Sequence, residues 1–170
     1  MLKNIKQKIP WLIVTLCLLF IFISNLHINI GYYQGSGLDY NIYYIASYLL
    51  FPILGCICSG MYLFRNIKIS KAEKVMWGII AVAYFFVPVY IDYVFTHFAF
   101  RISSNIWSSV ISFTTSLLFS VSVFIGIIKK QNKGTEKNKT TLFLTILTLL
   151  CYLLGEIMSI YILFVINWFT

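Results

Sequence analysis

Few residues of this 170-residue chain could do chemistry, and most of them border or interrupt long apolar stretches. Asp92, Glu156, His27, His97 and Arg101 are the ionisable candidates, with Tyr84, Tyr90 and Tyr93 among them. A charged side chain at the centre of an apolar span costs roughly 2.5–3.5 kcal/mol to insert, so an ionisable group there needs a reason. One reason is a cavity for a cation, a proton or a polar ligand. The other is structural. Asp92 and Glu156 can tie helices together as protonated hydrogen-bonding groups, while His27, His97 and Arg101 can rest at a wet interface.

Two carboxylates and two imidazoles could ligate a divalent transition metal. No ligands pair at i, i+4, however, and Asp92 and His97 are five apart, about 140° around a helix. No metal is assigned. Bis-histidine haem ligation by His27 and His97 needs two helices to touch and rests on one histidine from each. No cofactor is assigned either.

The elements that position these groups are read from charge. Twelve of the 13 Lys and Arg residues fall within Lys3–Lys8, Arg65–Lys74 and Lys129–Lys139, and only Arg101 stands apart. Short cytoplasmic loops retain Lys and Arg whereas translocated loops lack them, so the three clusters mark one side of a membrane. With 60% hydrophobic and 11% charged residues, the chain cannot cover a water-facing surface, which takes roughly 25% charged residues. Sorting of loops accounts for the net charge of +8. No basic face interleaved with aromatics tracks phosphates, so nucleic acid is excluded as a partner. Attraction of the basic loops to anionic headgroups follows from the same pattern.

The fold class expected is an all-α integral membrane protein, an up-and-down bundle of five transmembrane helices in a single domain, residues 1–170. The amino terminus lies inside and the carboxyl terminus outside. The spans are about 11–30, 42–64, 75–98, 106–128 and 141–165. The first resembles a signal peptide in its basic tip and apolar run, but no small-x-small cleavage site follows, so it reads as an uncleaved span. The loop Gly31–Asn41 has three glycines and no Lys or Arg, hence an external position. Pro52 should kink span two or mark its first turn. Pro88 should leave the Tyr84 carbonyl without its usual amide. Every loop is short, so sequential helices should be neighbours. A rise of 1.5 Å per residue places Asp92, Glu156, His27, His97 and Arg101 at overlapping depths in the outer half. Apart from cysteine, the inner halves read as free of ionisable side chains.

Small residues offer close helix contacts. Gly55, Ser59 and, one register over, Gly60 lie on span two, and Ser109, Ser112, Ser116 and Ser120 form one stripe on span four. That stripe is read as packing, the alternative being a hydrophilic path. Cys17, Cys56, Cys58 and Cys151 all lie in apolar runs, which favours buried thiols over a disulfide framework. Cys56 and Cys58 point to different faces of their helix. No Gly-x-Ser-x-Gly, His-Glu-x-x-His or phosphate-cradling loop is present in the sequence.

The expected function is therefore that of a small, non-catalytic, multi-pass accessory protein of the cell (plasma) membrane. Its partners would be the lipid bilayer and another membrane protein or a membrane-active peptide, for which it serves in immunity, assembly or regulation. A transporter, or the substrate-binding subunit of one, with an outward cavity around Asp92 and Glu156 is the alternative. A lipid-acting intramembrane enzyme is the third reading. Abundant Ile, Asn, Phe, Tyr and Lys with little Arg and Ala points to a bacterial, AT-rich origin.

Overall fold

A computed structural model describes the backbone of residues 2–33, 45–65, 67–94, 106–129 and 138–169. Side chains are described for 8–26, 45–65, 67–87, 110–129, 138–157 and 160–161. The chain is all-helical across these residues. Helix α1 is Leu2–Tyr33, a π-helical turn Ile45–Leu50 leads into α2, Phe51–Phe64, and α3 is Lys71–Val94. Helices α4 and α5 are Ile106–Ile128 and Lys139–Phe169. Four segments are long and apolar enough to cross a membrane: Lys8–Leu26, Ile45–Phe64, Val110–Ile128 and Lys139–Ile157. The expected third span corresponds to α3, and its last residues, past Val94, lie outside the described residues.

Local chemistry sets the helix ends. Helix α1 begins well before Trp11 and carries Pro10 inside it, near the basic tip where water can serve the carbonyl that proline leaves unpaired. Ser70 and Glu73 form a capping box at the start of α3. The Glu73 amide donates to Ser70 Oγ at 3.2 Å and the Ser70 amide donates to Glu73 Oε2 at 2.6 Å. Pro52 occupies the first turn of α2. It cannot supply the amide that the Tyr48 carbonyl would take in α register. Asn25 of α1 does so instead, its Nδ2 donating to Tyr48 O at 3.1 Å.

Helix packing closes a ring in the order α1, α2, α5, α3, α4. The expectation that sequential helices are neighbours is thus corrected at two connections. Among the described residues, α2 does not pack along α3, nor α4 along α5. The reason is the width of the side chains at the centre. Trp11 meets Tyr62 at a ring-centroid distance of 4.7 Å and Trp77 at 5.6 Å, all three being fully buried. Further along, Phe51 lies 4.8 Å from Tyr152, and Tyr84 lies 5.0 Å from Phe119. These aromatic layers fill the ring, separating α2 from α3 by the breadth of an indole. The side-chain contacts also fix the end of the bundle at which the helices begin and finish. Trp11, Tyr62, Trp77 and Gly126 meet there, so Lys8, Arg65, Lys68, Lys71, Lys74, Lys129 and Lys139 gather at one end.

Candidate functional site

The polar side chains of the interior form two groups, one toward each end. The group at the basic end is centred on Glu73, a residue only 2% exposed. Tyr62 Oη donates to Glu73 Oε1 at 3.1 Å and lies 3.3 Å from Thr145 Oγ1. Thr145 in turn donates to the Thr141 carbonyl at 2.7 Å and sits 3.3 Å from Cys58 Sγ. One carboxylate, accepting from α2 and capping α3, therefore joins a chain of hydrogen bonds that reaches α5. The sequence reading missed it, because Glu73 looked like part of a basic loop. Its signal was the Ser70-Lys-Ala-Glu73 capping pattern. The threonines were legible too, since Thr141, Thr145 and Thr148 recur at i, i+4 and i+7 and are fully buried.

The group toward the opposite end contains Glu156, which is half-buried on α5. Tyr152 precedes it by one turn on the same face and is 2% exposed. Glu156 lies within electrostatic reach of Tyr152, Tyr84 and Tyr48. The Tyr84 and Tyr152 rings are 6.0 Å apart. Gly155 is what brings these groups to the π-helical turn. A Cβ built there would collide with the Ser47 Cβ and come within 3.2 Å of the Ser47 backbone.

Of the residues expected in an outer cavity, the structure therefore places Glu156 and Tyr84 near one another. Asp92 lies on the described backbone of α3 and His27 on that of α1, but their side chains lie outside the described residues, while His97 and Arg101 lie outside altogether. Among the described residues no group of three or more His, Cys, Asp or Glu could hold a metal ion.

The packing candidates are distributed as follows. A Cβ at Gly55 would stand 2.8 Å from Leu18 Cδ1. Ser59 is buried, with its Oγ 2.8 Å from Thr15 Oγ1. No atom lies within 4 Å of a Cβ built at Gly60. Ser116 and Ser120 are buried, Ser120 Oγ donating to the Ala81 carbonyl at 2.8 Å. Ser112 is exposed, and the Ser109 side chain lies outside the described residues. A close contact the sequence reading did not name is Gly126, where a Cβ would meet the Trp11 ring at 2.9 Å. The four cysteines are free thiols. Cys56 donates to the Thr15 carbonyl of α1 and Cys58 to the Thr141 carbonyl of α5, so the two do face different helices.

Comparison with known proteins adds no function. No protein-family model matches the chain, and neither the curated proteins nor the solved structures include a match.

Proposed function

We propose that this chain is a five-span protein of the bacterial plasma membrane, inserted with its basic end in the cytoplasm, that serves as a non-catalytic accessory to another membrane component. The observation that carries the reading is an inverted polarity. Leu12, Leu16, Leu19, Phe20 and Ile23 line the outer face of α1, Ile111, Leu118 and Ile125 that of α4, and Ile146, Leu150 and Leu154 that of α5. Water would penalise that surface and lipid would not. Inside, serine and threonine hydroxyls hold helices together: Ser59 to Thr15, Ser120 to Ala81, Thr145 to Tyr62. Side chains committed to such bonds support a packed scaffold that works by presenting its helices laterally.

Photocrosslinking residues placed singly at Leu16, Leu118 and Leu150 in native membranes test the proposal, since each samples a different exterior face. A discrete protein or peptide adduct from one face and lipid adducts from the others is the result expected. Lipid adducts alone from all three would overturn the accessory role.

A second reading, a small transporter or a substrate-binding subunit, is favoured by Glu156 and its surrounding tyrosines. It predicts that Glu156→Gln abolishes uptake while leaving expression and thermal stability near wild type.

A further inference from the structure

At the basic end, cations and exposed apolar side chains are paired helix by helix. Three helices begin there, and each carries a lysine followed four residues later by an exposed apolar residue: Lys8 and Leu12 on α1, Lys71 and Val75 on α3, Lys139 and Phe143 on α5. Residues i and i+4 share one helix face. Side chains tilt toward the helix N-terminus, so each ammonium extends past its apolar partner toward the end of the bundle. Helix α2 finishes there instead, with Phe64 82% exposed and an exposed Arg65 beside it. These four helices are consecutive in the ring, in the order α1, α2, α5, α3. Glu73, the one carboxylate at this end among the described residues, is withdrawn from the surface, with Tyr62 on one of its oxygens and the Ser70 amide on the other.

We propose that these four helix ends form a belt that selects anionic phospholipid, with headgroup phosphates on the four cations and acyl chains on their apolar partners. The pairing chooses the ligand class. A soluble anion would use the cations and leave Phe64 and Phe143 uncovered. An acidic protein segment would meet the cations beyond the helix ends, again leaving the apolar partners below it bare. A zwitterionic phospholipid covers the apolar residues, but its own cationic group offsets the phosphate that Lys and Arg attract. A lipid of net negative charge satisfies both halves of every pair. The belt thereby differs from the general attraction of basic loops to a charged leaflet, which needs no apolar partner. This inference rests on the membrane insertion proposed above, not on the accessory role.

Electron paramagnetic resonance of the full chain in phosphatidylcholine vesicles tests it, with phosphatidylglycerol and phosphatidylcholine spin-labelled on the acyl chain as the two probes. One cation near an anionic headgroup is worth about fivefold in affinity, so the motionally restricted fraction should show roughly a fivefold preference for phosphatidylglycerol. High salt should reduce that preference. A variant combining Lys8→Gln, Arg65→Gln, Lys71→Gln and Lys139→Gln should lose most of it while resisting alkaline extraction as the wild type does. Inorganic phosphate should displace the phosphatidylglycerol no better than chloride of equal ionic strength. Equal restriction of the two probes by a wild-type chain that resists extraction would overturn the belt and leave membrane insertion standing, whereas a chain extracted by alkali would overturn both. Displacement of the lipid by inorganic phosphate or by polyglutamate would also overturn the belt, marking a soluble anion or an acidic protein as the occupant.

Discussion

At the residue scale, Glu73 and Ser59 separate two kinds of polar contact. The Ser59–Thr15 hydroxyl pair joins α2 to α1, and Thr15 keeps a 2.8 Å bond to the Trp11 carbonyl whether or not Ser59 is present. Hydrogen bonds of this kind inside membrane proteins average about 0.6 kcal/mol, and Ser59→Ala should cost about that. Tyr62→Phe removes a donor from a buried carboxylate, for which about 1.5–3 kcal/mol is expected. Unfolding of the two variants in mixed micelles should therefore rank Tyr62→Phe well below Ser59→Ala in stability; the reverse order would show that Glu73 is not a clamp. Half of this clamp was legible. The capping spacing is local and stands in the sequence, whereas the approach of Tyr62 depends on how α2 and α3 meet, which no local pattern encodes. Glu73 lies just before the expected third span, so the reading of the inner halves did not extend to it.

At the element scale, the π-helical turn is held from two sides. Gly155 lets α5 approach the turn at Ser47, and Asn25 serves the Tyr48 carbonyl that Pro52 cannot. Gly155→Ala should lower the melting temperature clearly, because its Cβ must displace Ser47 or its backbone. Adding Ser47→Gly should recover part of that loss, since it removes the colliding Cβ. Gly60→Ala should be neutral or stabilising by up to ~1 kcal/mol, for a helical glycine with open space around it gains propensity from a methyl. Asn25→Ala should destabilise the wild type more than it destabilises a Pro52→Ala background, where the helix regains its own amide. Additive effects in that double-mutant cycle would rule out the substitution of Asn25 for the missing donor. Pro52 was legible as a first-turn or kink position. Its partner, 27 residues earlier in the chain, became visible only once α1 lay against α2.

At the scale of the whole molecule, hydropathy and charge made the helices legible but not their order around the ring. Apolar run length sets helix existence, and the observed helices overlap every expected span. Neighbour choice is instead decided by side-chain bulk, and short loops alone pointed to an arrangement in which α2 packs along α3. With Trp11, Tyr62 and Trp77 filling the basic end, that contact gives way to α5, which packs against both α2 and α3. The ring also bears on the proposed orientation. Lys8, Arg65, Lys68, Lys71, Lys74, Lys129 and Lys139 share one end with buried Glu73, so turning the bundle over would translocate a concentrated positive charge against the usual sorting of loops. Cysteine-accessibility or reporter fusions should accordingly place Lys68 and Lys133 in the cytoplasm and Gly35 and Thr170 outside. The carboxyl terminus decides the matter. Its location reports whether α3 crosses as a full span, since four crossings would return Thr170 to the side of the amino terminus, and a cytoplasmic Thr170 would leave α3 as a helix that enters the ring without traversing the bilayer.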